Sequence, residues 1–454
     1  MFDKVKELEL GNTYSFNVIY REGNCGHAAK LNLTPELITF KVISERKFDL
    51  SWDAKQAECE GNGGVFILKG LYCTFTKWST ISYDPPIQMH EAEFTVESLV
   101  FCPGGRPCDG VFSSMDIFSE TINNWVGYTN TQEKILELHS QHKDIWDALI
   151  EFSTQANTNE YIGIRYNASY CQSPLSFESG FTFPPSLFYL FGLEENAADP
   201  FSTFQRIYNL LAFLTGTTPS IQKVITHFDP DRYGSQGTLY YSGIKASPTK
   251  PDELIMFPLA KDLRFNDRPL VPFPLSSFAL YFDPNSELPD LLEKYVKYRA
   301  MGNVEDRLLG YFRLLEKHCY NKRYYLPEAL FTRFSRLARG WVKANGLDKR
   351  QTKSFDSGLK RFNGQKYNTE KCVTDFFQSL PEQIKKGLDI TTDILTEICK
   401  LRNDITHANK YQVDDRRLHL LTAHVHHLLV FALLDKFQID LNEVGFLTGR
   451  LKHY

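Results

Sequence analysis

The sequence lacks long apolar runs, a targeting segment and any large surplus of one charge. No stretch approaches the roughly 20 apolar residues of a membrane-spanning helix. The first residues, MFDKVKELELGN, have neither the basic start nor the apolar centre of a signal peptide. The 51 lysines and arginines nearly balance the 55 aspartates and glutamates among 454 residues. These absences argue against a membrane protein and against a secreted protein.

Cysteine pairs and metal-ligand patterns are also scarce. Nine scattered cysteines, an odd number, do not form the framework of a disulfide-stabilised domain, which favours the reducing cytoplasm. Cys102 and Cys108 are the best zinc candidates, with Cys59, Cys73 or His90 to complete a tetrahedron. Their spacing is longer than that of the usual zinc pairs, and small buried cysteines are the alternative. We therefore predict no metal and no cofactor.

Histidines crowd the end of the chain, at His419, His424, His426 and His427. At about 100° per helical residue they point to several faces, which argues against one metal site and favours core or interface packing. His318 is a candidate neighbour of the active site. No HExxH motif, nucleophile elbow or phosphate-binding glycine loop is present.

The first part of the chain has the pattern of β-structure. Short β-branched or aromatic runs alternate with turn sequences such as REGNCGH, EGNGG and YDPP. The predicted strands lie at 14–20, 37–42, 65–68, 72–75 and 93–101. A helix is expected at 131–152, further strands at 161–183, a helix at 201–215 and strands again up to 284.

From residue 285 the periodicity becomes helical, with helices predicted at 291–301, 304–319, 327–344, 384–401 and 413–437. The fold class is thus α+β. We expect a β-rich N-terminal domain, sandwich-like or a curled sheet, at 1–185, a mixed α/β connecting segment at 186–285 and an all-helical bundle at 286–454. Residues 286–454 contain 29 basic against 21 acidic side chains, and the rest contains 22 against 34. A polyanionic partner would therefore meet the helical domain.

The sequence LRNDITH, from Leu401 to His407, carries the clearest chemical information. On a helical wheel started at Ile384, Arg402 lies inside the arc of apolar residues. A guanidinium in that position requires an anion, a partner surface or a ligand. In a continuous helix His407 would lie about 140° from Arg402. We therefore expect the helix to end between them, at Asn403 or Asp404.

Arginine and histidine together fit phosphodiester cleavage without a metal. Imidazole titrates near neutrality and can accept the proton of a ribose 2′-hydroxyl. Guanidinium keeps its charge and binds a phosphate through two parallel hydrogen bonds. The spacing alone is common among helical proteins, so the alternative is an arginine in a structural salt bridge and a histidine with a packing role.

A strongly basic segment precedes the motif. Residues 313–366 contain 14 basic and four acidic side chains. In the helix at 327–344, apolar residues including Leu330, Phe334, Leu337 and Trp341 fill one arc, which we expect to face the core. The opposite face carries four candidate RNA-binding residues, Arg333, Arg336, Arg339 and Lys343. A basic loop, DKRQTKSFDSGLKRFNGQK, is expected to follow, and a solvated charged face is the alternative.

Arg402, Asn403 and His407, between the last two long helices, resemble the Rx4–6H signature of HEPN domains, many of which are ribonucleases. The front half is similar to the N-terminal region of ApeA-type anti-phage proteins. The matching features are the strand pair HAAKLNLTPE and GVFILKGLYCTFTKWS, the NWVGY segment and FSTFQRIYNLLAFLTG.

This resemblance implies a bacterial cytoplasmic, metal-independent ribonuclease that acts as a homodimer through the HEPN domain. Arg402, Asn403 and His407 are then the catalytic residues, with the two motif loops meeting across the interface. RNA, by analogy tRNA, is the expected substrate, in abortive-infection defence, and the N-terminal domain is expected to sense a phage-derived trigger. A non-catalytic module that dimerises and binds RNA or protein is the competing hypothesis.

Overall fold

A computed structural model of the chain describes residues 5–83, 86–104, 112–173, 178–192, 199–228, 236–244, 255–259, 273–320, 325–364 and 369–452. Contacts divide the chain into two compact units, Met1–Pro289 and Asp290–Tyr454. The first unit is β-rich with a mixed segment at its end, and the second is helical. The predicted α+β class is therefore confirmed.

The strands of the first unit are β1 (Tyr14–Glu22), β2 (Cys25–Leu33), β3 (Ile38–Ser44), β4 (Gln56–Gly61), β5 (Gly64–Tyr83), β6 (Pro86–Pro103), β7 (Phe112–Ser119), β8 (Ile150–Asn157), β9 (Glu160–Tyr166), β10 (Ser169–Ser173), β11 (Glu178–Thr182), β12 (Pro185–Leu190), β13 (Ile221–Phe228) and β14 (Gln236–Tyr241). Twelve of them form one sheet in the order β3-β2-β1-β4-β5-β6-β14-β13-β7-β12-β9-β8.

The first six strands close on themselves, because β3 pairs with β6 as well as with β2. Side chains alternate between the buried and the exposed face of these strands, as in β1, where buried Phe16, Val18 and Tyr20 are separated by exposed residues. Phe16, Phe66 and Phe101 stack in series inside this barrel. The strand predictions of the front part were correct in kind and too short for β5 and β6.

Strands β14, β13, β7, β12, β9 and β8 continue the same sheet, while β10 and β11 pair in a separate two-stranded sheet. Four helices accompany these strands. These helices are α1 (Glu120–Val126), α2 (Asn130–Ser140), α3 (Pro200–Thr215) and α4 (Ser276–Phe282). The fully buried Trp125 of the NWVGY segment donates from Nε1 to the Phe257 carbonyl at 2.9 Å, so this segment is a core anchor. The single helix predicted at 131–152 was wrong. The chain leaves α2 where His142 takes a φ of 54°, and β8 follows.

The second unit contains α5 (Leu288–Arg299, which begins just before the unit boundary), α6 (Val304–Cys319), α7 (Glu328–Ala344), α8 (Lys349–Asn363), α9 (Thr369–Ser379), α10 (Glu382–Leu388), α11 (Thr392–Thr406), α12 (Asp415–Lys436) and α13 (Leu447–Leu451). Helix α12 packs along α6 and forms the centre of this core. By length and composition α12 is apolar enough to cross a membrane, but 78% of that window is buried within the folded chain, as in a core helix.

Two predictions for the helical unit were wrong. The helix predicted at 384–401 is divided into α10 and α11, because Asp389 adopts a left-handed conformation with φ of 54°. The segment predicted as a basic loop is helix α8. Its start is a capping box, in which the Asp348 carboxylate accepts from the Gln351 amide at 2.7 Å and the Gln351 side chain accepts from the Asp348 amide at 3.1 Å.

Candidate active site

Helix α11 presents Arg402 as the last member of its buried stripe. Leu395, Ile398 and Cys399 precede it by seven, four and three residues, and all three are buried. The Arg402 side chain retains 24% of its exposure, so it is mostly packed but still in contact with solvent. The predicted position of Arg402 on the apolar stripe is therefore correct within α11.

The anion that this position requires is supplied by α6 of the same chain. Arg402 Nη2 donates to Glu316 Oε2 at 2.9 Å, and the guanidinium carbon lies 5.4 Å from the ring centre of buried Phe312. Glu316 is held in turn by the Thr369 hydroxyl, which donates to Oε1 at 2.6 Å. Sequence reasoning missed Glu316, although it lies four residues after Phe312 on a predicted helix.

Asn403 completes the immediate surroundings of Arg402. Its Oδ1 accepts a hydrogen bond from Arg402 Nη1 at 2.9 Å, and its side chain is exposed. A guanidinium has five N–H donors. The described hydrogen bonds of Arg402 use two of them, which leaves donors for an incoming phosphate. The structure thus brings two of the three motif side chains together.

His407 lies elsewhere on the helix end. Helix α11 runs through Asn403 and Asp404 to Thr406, and His407 is its C-cap, so the predicted ending at Asn403 or Asp404 was wrong. Five helical residues place His407 about 140° around the axis from Arg402. The imidazole is exposed and makes no side-chain hydrogen bond or ion pair within the described residues. One chain therefore does not present both side chains on one face of α11.

A Schellman motif ends α11 next to this histidine. The Ala408 amide donates to the Ile405 carbonyl at 3.2 Å, and the Asn409 amide donates to the Asp404 carbonyl at 2.8 Å. Ala408 takes the left-handed conformation, φ 53°, which a glycine usually supplies. The turn fixes where the backbone of His407 leaves the helix.

The four candidate RNA-binding residues on α7 have different surroundings. All four are exposed, as predicted for a cationic face. Arg339 Nε lies 3.4 Å from Asp356 Oδ1 of α8, so part of its charge is already neutralised. Arg333, Arg336 and Lys343 form no ion pair within the described part of the chain.

The apolar arc of α7 does not face the core, contrary to prediction. Leu330, Phe334, Leu337 and Trp341 retain 55, 48, 68 and 69% of their exposure. The buried residues of α7 are instead Ser335 and Val342. The helix packs on α8 through polar contacts, in which the Ser335 hydroxyl donates to Asp356. A wheel shows which residues share a face and not which face is covered.

Three of the four histidines of α12 are core residues, as predicted for a packing role. His424, His426 and His427 are buried, and His419 is exposed. His427 Nε2 donates to the Leu451 carbonyl at 3.0 Å, and burial lowers its pKa to about 4. Burial also lowers the pKa of His424 and His426, so these rings remain neutral near pH 7. His318 pairs with Asp435 at 3.4 Å.

The zinc alternative loses one of its main ligands. Cys102 is disulfide-bonded, so its sulfur is not a thiolate ligand. Cys108 lies outside the described residues. Cys59 and Cys73 are buried free thiols, and burial raises the pKa of Cys59, while His90 stacks on Trp78. Among the residues described, no cluster of three or more histidine, cysteine or acidic side chains fits a metal ion.

A buried charge cluster in the first unit had no sequence signature. Asp116 on β7 accepts from Arg165 Nε at 2.9 Å, from His227 Nε2 at 3.1 Å and from the Ser186 hydroxyl at 3.1 Å. Burial opposes the charge of Asp116, but His227 and Arg165 hold its pKa below the ordinary value. Its partners come from β9, β12 and β13, so the cluster ties four strands of the sheet together.

Comparison with protein families identifies the second unit. Residues 309–443 match the family described as Apea-like HEPN, a range that includes Glu316, Arg402, Asn403 and His407. The same comparison with curated proteins and with solved structures found no match. HEPN domains form a nuclease and RNA-related defence family whose members are generally ribonucleases. Residues 309–443, which span the helices from α6 to α12, are therefore similar to an Apea-like HEPN domain.

Proposed function

We propose that this protein is a metal-independent RNA endonuclease. The observation that carries the proposal is the arrangement at the end of α11 in an Apea-like HEPN domain. A paired, half-buried guanidinium has donors to spare, and an exposed imidazole lies five residues further along the chain. Guanidinium and imidazole are the groups that cleavage of a ribose phosphodiester requires when no metal ion takes part.

The reaction is an internal transfer. The ribose 2′-oxygen attacks the adjacent phosphorus while the bond from phosphorus to the 5′-oxygen breaks. His407 accepts the 2′-hydroxyl proton as the base or donates a proton to the leaving 5′-oxygen. Arg402 stabilises the negative charge that develops on the phosphorane oxygens, and Asn403 orients Arg402. The products are a 2′,3′-cyclic phosphate and a 5′-hydroxyl.

A homodimer through the HEPN domain accounts for the separation of the two motif side chains. In one chain Arg402 and His407 lie about 140° apart around α11. A two-fold axis brings two copies of the motif together, so that Arg402 of one chain and His407 of the other can face one phosphate. Glu316 then keeps Arg402 oriented while the second copy is absent.

We propose that the nuclease acts in anti-phage abortive infection on cellular RNA, with tRNA as the first substrate to test. The acidic first unit would restrain the nuclease until it senses a phage-derived trigger. The basic face of α7 would hold the RNA backbone.

The competing function is a non-catalytic module that binds RNA or protein, and it is favoured by one observation. Arg402 already has a carboxylate partner, Glu316, as a structural salt bridge would. Incubation of the purified full-length protein with mixed RNA and with tRNA in EDTA separates the two functions.

Cleavage in EDTA that produces cyclic phosphate ends, and that falls at least about 100-fold in His407→Ala, supports the nuclease. His419→Ala is the matched control, because His419 is also exposed but lies outside the motif. RNA binding without cleavage, or equal cleavage by both variants, contradicts the proposed chemistry.

A further inference from the structure

The barrel of the first unit has an open cavity at the end where β3 stops. Ser44, the last residue of β3, lies opposite His90 of β6, and Trp78 of β5 lies opposite His90 on the other side. The cavity lies between these strand ends and the segment 47–52, and its volume is about 250 Å³. The mouth of a β-barrel is a common place for a small-molecule site, and pockets for drug-sized ligands begin at about 300 Å³. The volume therefore suits a compact ligand with one flat ring system.

The inner wall of the cavity is apolar. Phe94, Ala92 and His90 are alternate residues of β6, so their side chains lie on one face of the sheet. Phe94 and Ala92 are buried and also line the cavity, which thus reaches the core of the barrel. Phe48 and Leu50 add apolar surface from the segment that follows β3. A wall of this kind favours the burial of an apolar part of a ligand.

Two tryptophans line the cavity and are largely exposed. Trp52 and Trp78 retain 68 and 67% of their exposure. The Trp78 ring lies nearly parallel to the His90 imidazole, with an angle of 8° and centroids 6.0 Å apart. The Cys73 amide donates to the Trp52 carbonyl at 2.9 Å, which ties the backbone of Trp52 to β5. Exposed indoles beside a cavity offer flat faces on which a planar ring can stack.

The charges at the cavity favour an anionic ligand. Lys47 and Lys77 line it, and neither forms an ion pair within the described residues. Glu91 also lines it, but its carboxylate is paired with Lys41 at 2.5 Å. Tryptophan faces also attract quaternary ammonium groups, but two unpaired lysines beside them repel such a cation. The ligand that matches the cavity is therefore flat, aromatic and negatively charged.

Two polar side chains can recognise the edge of such a ring. Thr76 and His90 line the cavity, and within the described part of the chain neither side chain forms a hydrogen bond or an ion pair. A hydroxyl both donates and accepts, and a neutral imidazole has one donor and one acceptor. The edge of a purine base carries donors and acceptors in the plane of the ring, which these groups can match.

We infer that this cavity binds a purine mononucleotide. The base stacks on the two tryptophans, and a purine covers more of an indole than the single ring of a pyrimidine does. The phosphates lie beside the two lysines, whose ammonium groups reach them on flexible stems. A long polyanion is disfavoured, because the residues before 286 carry 34 acidic against 22 basic side chains. The inference uses residues of the first unit alone, so it does not depend on the proposed nuclease.

Isothermal titration calorimetry of the full-length protein with ATP and with GTP tests the inference. The wild type should bind at least one of the two with a dissociation constant below about 1 mM. Trp52→Ala and Trp78→Ala should each weaken binding about 5- to 100-fold, because a stacking face is lost. Trp78→Phe keeps an aromatic face and should retain most of the affinity. Trp146→Ala is the matched control, since Trp146 is 69% exposed in the same unit but does not line the cavity.

A second pair of variants separates charge from stacking. Lys47→Ala with Lys77→Ala should weaken the binding of ATP at least about 5-fold and leave the binding of adenosine unchanged, because adenosine has no phosphate. Lys143→Ala is the control, since Lys143 is also exposed and lies in the first unit outside the cavity. Equal losses for ATP and for adenosine would contradict the placement of the phosphates beside the lysines.

The melting temperature of each variant must stay within a few degrees of the wild type. If an alanine variant impairs folding, leucine replaces it, because leucine keeps apolar volume and lacks the flat face. A wild type that binds neither nucleotide, or an affinity unchanged when both tryptophans are replaced, overturns the inference. Binding of choline in place of both nucleotides also overturns it, as does binding that is lost only in Arg336→Ala with Lys343→Ala. Cleavage of RNA in EDTA, measured on the same samples, reports separately on the proposed nuclease.

Discussion

At the scale of single residues, the salt bridge with Glu316 determines which substitutions of Arg402 can test its role. The salt bridge between them is partly exposed, at 24% and 30% of the two side chains, so its loss should cost about 1–2 kcal/mol of unfolding free energy. A change of Arg402 to alanine therefore lowers stability whether or not the residue acts in catalysis. Substitutions that keep the salt bridge are more informative.

Arg402→Lys keeps the positive charge and can still pair with Glu316, but it loses the planar fork that binds two phosphate oxygens. If Arg402 stabilises the transition state, cleavage should fall about 100-fold while the unfolding free energy changes by less than about 1 kcal/mol. Single-turnover cleavage and urea unfolding of the same preparation measure both quantities. Full activity in Arg402→Lys would argue that only the charge matters.

Glu316→Gln is the control for that experiment, because it removes the carboxylate and leaves Arg402 in place. It should lower stability by about the same 1–2 kcal/mol as Arg402→Ala. If Glu316 only positions the guanidinium, cleavage falls less in Glu316→Gln than in Arg402→Lys. The reverse order would assign the carboxylate a direct part in the reaction.

At the scale of elements, the sequence predicted the helices of the second unit better than their ends. The bounds of α6 were predicted correctly, and the Asp414 carboxylate caps α12 as expected by accepting from the Arg417 amide at 2.7 Å. The ends of α10 and α11 were missed because Asp389 and Ala408 turn the chain with positive φ where glycine usually would. Helix ends of this kind lack the glycine by which a helix end is usually predicted from the sequence.

Helix α8 was missed for a different reason. Its many lysines and arginines have good helix propensity, but its apolar residues do not form the broad stripe of a core helix. The capping box from Asp348 to Gln351 was the available sequence feature. The exposure of the apolar arc of α7 could not be predicted from periodicity, because periodicity is the same for a buried and for an exposed apolar face.

The strained turn after α11 gives a prediction at this scale. An alanine in the left-handed conformation destabilises the folded state by about 1–2 kcal/mol, and glycine removes this cost. Glycine also gives the unfolded chain more conformational freedom, which offsets about 0.4–1 kcal/mol of that gain. Ala408→Gly should therefore stabilise the protein by about 0.5–1 kcal/mol in urea unfolding. Ala423→Gly, in the interior of α12, is the control and should destabilise by about 1 kcal/mol. Destabilisation by Ala408→Gly would show that this turn is not under strain.

At the scale of the whole molecule, charge is divided along the chain. Residues 286–454 carry a net charge of +8 and the preceding residues carry −12. The excess on the helical part is concentrated on helices α7 and α8, and the acidic part discourages RNA from binding to the first unit. The family match covers residues 309–443 and does not extend to the first unit. The proposal that the first unit is a sensor is therefore supported by its acidic charge.

RNA affinity should depend on salt through the unpaired cations of α7. Each cation that contacts a phosphate of single-stranded RNA contributes about 0.7 to the slope of log K against log salt. Changing Arg336 and Lys343 together to alanine should therefore flatten the slope by up to about 1.4. Arg339→Ala should change it by less than one contact, because Asp356 already neutralises Arg339 in part. Binding isotherms between 50 and 300 mM salt, with a catalytically inactive His407→Ala background, measure the slopes. Equal slopes for the wild type and the double variant would mean that RNA binds elsewhere, since a face that releases no counterions does not contact the phosphates.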